Sequence, residues 1–509
     1  MMWSWQTIGK AGKSKAPQAP AVEWIILPQG TRSEKAAEYS VSPKKWGPQA
    51  LAQVRAAVRG EKEPPSVVAI RHTEGGLSLL LNVDFSKPKA FWMEKLRDGV
   101  SQLISLSGGE KALAETGVRW VLSALDRSLQ KEVLTASSFI TETRSWKPTK
   151  FGTESKKKPE KTQIQVSCVA SIEGASVAAA ILDGQRLGRA NTQARTWAAL
   201  PFSHLDPRAF RDELHAFARR HRLGFQFMGR KELEKIKAGA FLGVLKADPK
   251  SEGGMVRLSY RPKGAKGAPI ALVGKGLCYD TGGYNIKPGA GMMGMHRDMT
   301  GAAVAASFLG YLAESGSPWP VDVYCAIAAN LISQSALTPN QVVTALDGTA
   351  IEIVDTDAEG RLVLADTLAW VRKQKPKLVI DYATLTGATL RALGKKRASV
   401  FSNRSELAQL AVQAGVESGE RTWSFPIEEE YSADLESQVA DVLQCADNHF
   451  ADHIYAATFL ARFIGKEVPW VHVDLAGPEH VPGGLGLVSS EVTGYGILWT
   501  QKFLSLHEG

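Results

Sequence analysis

Seven residues in two short stretches have the types and spacing to do chemistry together. The first stretch, GKGLCYDTGGYNIKPGAGMMGMHRDMTG over residues 274–301, carries Lys275, Asp280, Lys287 and Asp298. The second, DTDAEGR over 355–361, carries Asp357, Glu359 and Arg361. Each follows an apolar, strand-like run. Oxygen-rich carboxylate clusters suit hard or borderline divalent ions, and several carboxylates suit two ions better than one. The chemistry to test is therefore metal-assisted hydrolysis at a two-metal centre.

Every one of these residues also has an ordinary reading. Lys275 sits near the end of an apolar strand, where an unpaired ammonium is expensive to bury. It either snorkels out or pairs with Asp280, or it ligates a metal as a neutral amine. The last requires its pKa to fall from ~10.4 to below ~7, roughly 5 kcal/mol. Asp280 could simply open the DTGG turn, and Asp298 could cap the helix that follows it. Asp357 and Glu359 are expected to share one side of an extended chain, where two carboxylates repel unless a cation separates them. Arg361 could be that cation, or could hold an anion bidentately. Lys287 could be a solvated loop lysine or an ammonium brought over the site. Clustering within two motifs favours the joint reading.

The elements that must position these residues alternate along the chain. Strand-like runs at 24–28, 67–70, 120–125 and 164–170 interleave with helix-like segments at 49–58 and 91–104, predicting a mixed α/β domain over 21–172. Scattered His72 and Asp84 there suggest no chemistry. A Lys-, Ser-, Pro- and Gly-rich stretch over 144–161 reads as an exposed loop or hairpin insertion, and a helix within 173–200 is expected to link to a second domain over 201–509. There, helices at 207–223, 299–312 and 361–371 are set among the apolar runs FQFMG, FLGVLKAD, MVRLSYRP, IALVGKGLCYD, VDVYCAIAAN, IEIVDTD, LVIDYATLT and WVHVDLAG. Continuous apolar strands flanked by helices indicate a sheet covered on both faces, with reactive groups at the carboxyl ends of its strands.

With 509 residues, 44% of them hydrophobic, the chain can bury a large core in two or more domains. The net charge of +9 permits attraction to nucleic acid, although part of the excess lies in local runs such as 156–161. Cys168, Cys278, Cys325 and Cys445 show no CxxC or zinc-finger spacing, which fits a reduced, cytoplasmic setting. Residues 1–20 read as a flexible tail. No apolar run approaches the ~20 residues needed to span a bilayer, so no membrane partner is expected.

The pieces VGKGLCYDTGGYNIKP, MHRDMTGAA, DTDAEGRLVLAD, DYATLTGA and WVHVDLAG resemble those of the leucyl aminopeptidase (cytosol aminopeptidase) family, peptidase family M17, over about residues 191–503. The resemblance implies a smaller macro-domain-like N-terminal α/β unit and a larger C-terminal α/β/α sandwich, assembled as a homohexamer. It implies two divalent ions per subunit, Zn²⁺ or Mn²⁺. Asp280 and Glu359 would bridge them, Asp357 would complete the more exchangeable site, and Lys275 and Asp298 the tighter one. Lys287 would stabilise the oxyanion, and Arg361 would hold a bicarbonate that relays protons. Met295, Thr384 and Gly387 would line the pocket for the N-terminal side chain, and the Leu385 carbonyl would orient the product. The implied activity is release of leucine-like or other unbranched apolar N-terminal residues from peptides. The sequence departs from the family pattern at Asp355, where Asn is usual, at His296, where Lys is usual, and over 328–341, which keeps Asn330 but lacks an acidic residue. A DNA-binding architectural role, motivated by the basic charge, and an inactive relative are the competing readings.

Overall fold

The computed structural model describes residues 2–7, 22–28, 67–71, 77–107, 118–152, 163–248, 252–446 and 450–509. The helix expected over 49–58, His72, residues 8–20 of the expected tail and residues 153–161 of the expected loop lie outside them. Two compact units divide the chain at 189/190, within the helix Gly174–Ala198, with residues 486–489 joining the first unit.

The first unit holds a six-stranded sheet of β1 (Met2–Thr7), β2 (Val22–Pro28), β3 (Val67–Arg71), β4 (Leu77–Val83), β5 (Val118–Val121) and β6 (Gln163–Val169), in the order β1-β6-β5-β2-β4-β3. All neighbours are parallel except β3 and β4. Met2–Thr7 corrects the flexible tail expected over 1–20. This aromatic- and Thr-bearing segment pairs with β6, which satisfies its backbone along the sheet edge.

The second unit is built on an eight-stranded sheet. Its strands are β7 (Gly224–Met228), β8 (Gly254–Tyr260), β9 (Ile270–Asp280), β10 (Val321–Asn330), β13 (Leu378–Ala383), β14 (Ala398–Ser402), β15 (Thr422–Ser424) and β17 (Trp470–Asp474), in the order β15-β14-β17-β13-β9-β10-β8-β7. The four central strands β17, β13, β9 and β10 run parallel. β10 is buried along its whole length, Asp322 included, whose carboxylate accepts from Arg257 and Arg261. A three-stranded sheet joins β11 (Val342–Thr344), β12 (Ala350–Glu352) and β16 (Val442–Leu443). The run FLGVLKAD is helical, over Gly239–Leu245.

Alternation along β9 shows how the central sheet is covered. Ala271, Val273 and Leu277 join a core cluster with Leu362, Val363 and Leu368 of helix Glu359–Lys373 and Phe459 and Leu460 of helix Asp452–Ile464. Gly274 faces the opposite way, against helix Thr300–Ser315, where a Cβ would lie 2.4 Å from the Ala302 Cα. Residue 274 must therefore be glycine for the helix to approach. Lys275, with the parity of Val273, points toward helix Glu359–Lys373.

Near its end β9 gains a residue. Ala328 of β10 pairs with Leu277 while Asn330 pairs with Asp280, so two steps on β10 face three on β9. Lys275 and Asp280 are separated by an odd number of positions and would project to opposite faces in a regular strand. The extra residue restores them to one side.

Candidate metal centre

The carboxyl ends of the central parallel strands converge on one cavity of about 860 Å³, lined by Lys275, Asp280, Lys287, Met295, Asp298, Asp355, Asp357, Arg361, Thr384, Leu385 and Gly387 among others. Asp280 ends β9, Asn330 ends β10, Thr384 follows β13, and Asp474 ends β17. Oxygen atoms of Asp280, Asp357 and Glu359 lie within 4.8 Å of one another.

Lys275 is buried and acts as a counter-ion here. Its Nζ donates to Asp298 Oδ1 at 2.9 Å and to the Thr384 carbonyl at 3.0 Å, and lies 3.4 Å from Glu359 Oε1. Burial disfavours its ammonium, but Asp298, Glu359 and Asp280 outweigh that and hold its pKa above the ordinary value. The pairing expected with Asp280 is thus made with Asp298.

Asp298 is not a helix cap. Helix Thr300–Ser315 takes no side-chain cap hydrogen bond, while Asp298 Oδ1 accepts from Lys275 and from Thr384 Oγ1 at 2.7 Å. Lys287 Nζ lies 2.9 Å from Asp280 Oδ2 and 2.5 Å from Asp357 Oδ1, so the loop lysine does turn back over the carboxylates. The DTGG turn makes this possible: Gly282 has φ +85°, and a Cβ there would lie 2.4 Å from the Asn285 carbonyl oxygen.

Asp357 and Glu359 do not meet across an extended chain, as the sequence suggested. A 3₁₀ turn, Thr356–Ala358, leads directly into helix Glu359–Lys373, and the coil brings both carboxylates within 4.8 Å of Asp280. Asp355 caps that turn by accepting from the Asp357 N–H at 2.8 Å. Its carboxylate is thereby committed locally. Short polar caps serve this position well, which accounts for an acid there.

Arg361 is buried. Its Nη1 donates to the Gln444 carbonyl at 3.2 Å and its Nη2 to Asp452 Oδ1 at 2.6 Å. Met295, Leu385, Leu390 and Ala476 contribute apolar wall to the cavity, beside an Arg297–Glu479 ion pair. His296 is absent from the lining; burial, with Arg297 and His480 nearby, pushes its pKa down to about 4.

Three supports were missed in the sequence reading. Asn330, noted there only for its presence, donates to Asp280 Oδ1 at 2.9 Å, Glu359 Oε2 at 3.1 Å and the Thr356 carbonyl at 3.0 Å. Buried Gln444 accepts from the Val354 and Asp355 N–H groups and donates to the Ala358 carbonyl, pinning the second motif. Asp474 accepts from the Leu385 and Thr386 N–H groups and so fixes the loop after β13. The lone signal for Asn330 and Asp474 was a polar residue at the end of an apolar strand, and nothing local marked Gln444.

The donor set fits divalent cations. Asp280, Asp298, Asp357 and Glu359 carry four potential negative charges against the two of Lys275 and Lys287. Asp298 Oδ2, Asp357 Oδ1 and Glu359 Oε1 are buried and lack hydrogen-bond geometry, although lysine Nζ atoms lie within ion-pair distance. Burial, then the neighbouring carboxylates, push Asp298 and Asp357 up to about 6 and Glu359 well above its usual range. That is the signature of a site short of positive charge.

Comparison with known proteins agrees with this geometry. Residues 192–499 match the sequence model of the cytosol aminopeptidase family, catalytic domain. A probable cytosol aminopeptidase of Parasynechococcus marenigrum is 40% identical over 310 residues, 60% of this chain and 62% of that protein. One from Ralstonia pickettii is 37% identical over 377 residues, 72% of this chain and 74% of that protein. The chain thus spans about three fifths of the first of these relatives and about three quarters of the second. The solved structure of the bottromycin maturation enzyme BotP in complex with Mn is 27% identical, with a TM-score of 0.79 over 96% of this chain and 100% of that one.

Proposed function

The chain belongs to the cytosol aminopeptidase family, peptidase family M17, and on that premise we propose that it is a metal-dependent aminopeptidase cleaving the first peptide bond of peptides. The observation that carries the reading is the charge-deficient cluster of Asp280, Asp298 and Asp357 on one cavity, with buried Glu359 beside them. Asp280 and Glu359 would be shared by two divalent ions, with Asp357 completing one site and Lys275 and Asp298 the other. The Mn in the BotP structure supports a divalent ion of that kind. Such ions supply Lewis acidity at the scissile carbonyl and a water acidic enough to attack near neutral pH.

The chain's own residues do the rest. Asn330 fixes the orientation of Asp280 and Glu359, leaving their other oxygens for ligation. Lys275 would have to give up its proton to bind as an amine, against the pull of its ion pair with Asp298. Lys287 is partly accessible to the cavity and offers positive charge where an oxyanion would develop. Met295, Leu385 and Leu390 favour an unbranched or leucine-like side chain, with Thr384 and Gly387 leaving room beside them. Hexameric assembly is part of the same proposal and rests on the family resemblance.

The test is a panel of aminoacyl anilides, free and N-acetylated, with added Mn²⁺ or Zn²⁺, before and after chelation. Cleavage of free leucyl and methionyl substrates that disappears on chelation and returns with metal is expected. Activity that survives thorough chelation, or equal cleavage of the blocked substrates, overturns the reading.

A further inference from the structure

The guanidinium of Arg361 already faces a carboxylate from its own chain. Asp452 Oδ1 accepts from Nη2 at 2.6 Å, and the Gln444 carbonyl accepts from Nη1. Asp452 opens helix Asp452–Ile464, which packs against helix Glu359–Lys373, so both side chains project from the starts of adjoining rigid elements. An acid in the first turn of a helix has an ordinary explanation in the helix dipole. That explanation requires neither a buried arginine as partner nor a place on the cavity wall. Asp452 has both: its side chain is 21% exposed, and it lines the same cavity as Asp280, Lys287 and Asp357. Among the described residues its Oδ2 has no hydrogen-bond partner, leaving one oxygen for the cavity.

We propose that Asp452 fills the anion seat at Arg361 and serves as the built-in proton carrier of the hydrolysis, so that no dissolved bicarbonate is required there. The proposal rests on the aminopeptidase reading of the site. A second anion at Arg361 would sit beside a fixed like charge; at ~4 Å near a protein surface that repulsion weakens binding by about a thousandfold. Cys445 and Asp355, also near Arg361, add no cation to offset it. In the reaction, the water oxygen bonds to the carbonyl carbon and its proton passes to the Asp452 carboxylate. The carboxylic acid then returns that proton to the peptide nitrogen as the C–N bond breaks, which leaves Asp452 ionised and the products an amino acid and a shortened peptide.

The experiment compares the metal-loaded wild-type chain with Asp452→Asn, of the same shape, and Asp452→Gly, which empties the seat. All are assayed in carbon-dioxide-free buffer with and without bicarbonate, and titrated with ¹³C-bicarbonate by NMR. Wild type should keep its rate without bicarbonate and bind none. Asp452→Asn should lose about a hundredfold in kcat, the scale of general acid–base catalysis, with KM and metal content nearly unchanged. Asp452→Gly should bind ¹³C-bicarbonate and regain rate when it is added. Acceleration or labelled-bicarbonate binding by wild type, or undiminished kcat in Asp452→Asn, overturns the proposal. A wild-type chain inactive with every metal would instead defeat the aminopeptidase reading. The labelled-bicarbonate pattern would then still decide the seat.

Discussion

Lys275 reaches its carboxylates because residue 360 is glycine: a Cβ there would lie 2.4 Å from the lysine Cε and 2.7 Å from its Nζ. The colliding atoms belong to the mobile end of a side chain, so the backbone need not move. Gly360→Ala is expected to displace Lys275 from the cavity, releasing metal while the melting temperature stays within a few degrees. Metal analysis and thermal unfolding of the same sample check both halves. Gly301→Ala is the contrast, since its Cβ would lie 2.1 Å from the Tyr382 carbonyl oxygen. Neither backbone can yield easily, and a loss of about 1–3 kcal/mol in stability is expected.

Metal loading should release protons. Lys275 is held as an ammonium, and Asp298 and Asp357 are pushed up to about 6 by burial and neighbouring charge. A dication requires all three deprotonated, so apparent affinity rises with pH. Calorimetric titration with Mn²⁺ in buffers of different ionisation enthalpy should show net proton release at pH 6. Absence of release would mean that Lys275 stays charged and is no ligand.

Asn330→Ala removes three hydrogen bonds at once, two of them to Asp280 and Glu359. Metal affinity should fall about 10–100-fold, the usual scale for outer-shell support. Competition against a chelating dye measures it directly.

Lys287→Ala should lower kcat by about 10²–10³ while KM and folding change little, as expected for positive charge aimed at a developing oxyanion. Steady-state kinetics on leucyl anilide beside circular dichroism would show this. Near-normal kcat would remove Lys287 from the chemistry.

Away from the cavity, Asp366 joins helix Glu359–Lys373 to the Phe241 and Leu346 N–H groups at 2.8 and 2.7 Å. Burial pushes its pKa from 3.8 up to about 7. The folded chain therefore holds this proton between about pH 4 and 7 while the unfolded chain has lost it, and Asp366's contribution to stability falls as pH rises through that window. Denaturant midpoints at pH 5 and 7.5 should differ less in Asp366→Asn than in wild type, although the variant is less stable throughout.

The apolar runs made the second unit's central strands legible, because strands buried on both faces read as near-continuous hydrophobic runs in which a polar residue is rare. Chemistry was legible for the same reason: Lys275 stood out inside IALVGKG, and Asp280 at its end. Asp357 and Glu359 were recognisable as a pair, but the coil joining them was not, since DTDAEG carries no apolar period. Asp452 and Gln444 were invisible. Each earns its place through contacts across 91 and 83 positions of sequence, and nothing local marks them. Met2–Thr7 was misjudged because its partner, β6, lies far along the chain.

The surplus residue in β9 acts as a phase shift between an amine and a carboxylate. Point changes can retune what this centre binds, since they leave the phase untouched. Straightening the ladder between Leu277 and Asp280, with the spacing from Lys275 to Asp280 kept, would turn the acid to the sheet's other side with every functional side chain still encoded. A relative that kept all seven motif residues but paired this strand without the bulge would look competent on paper, with its amine and its acid on opposite sides of the sheet.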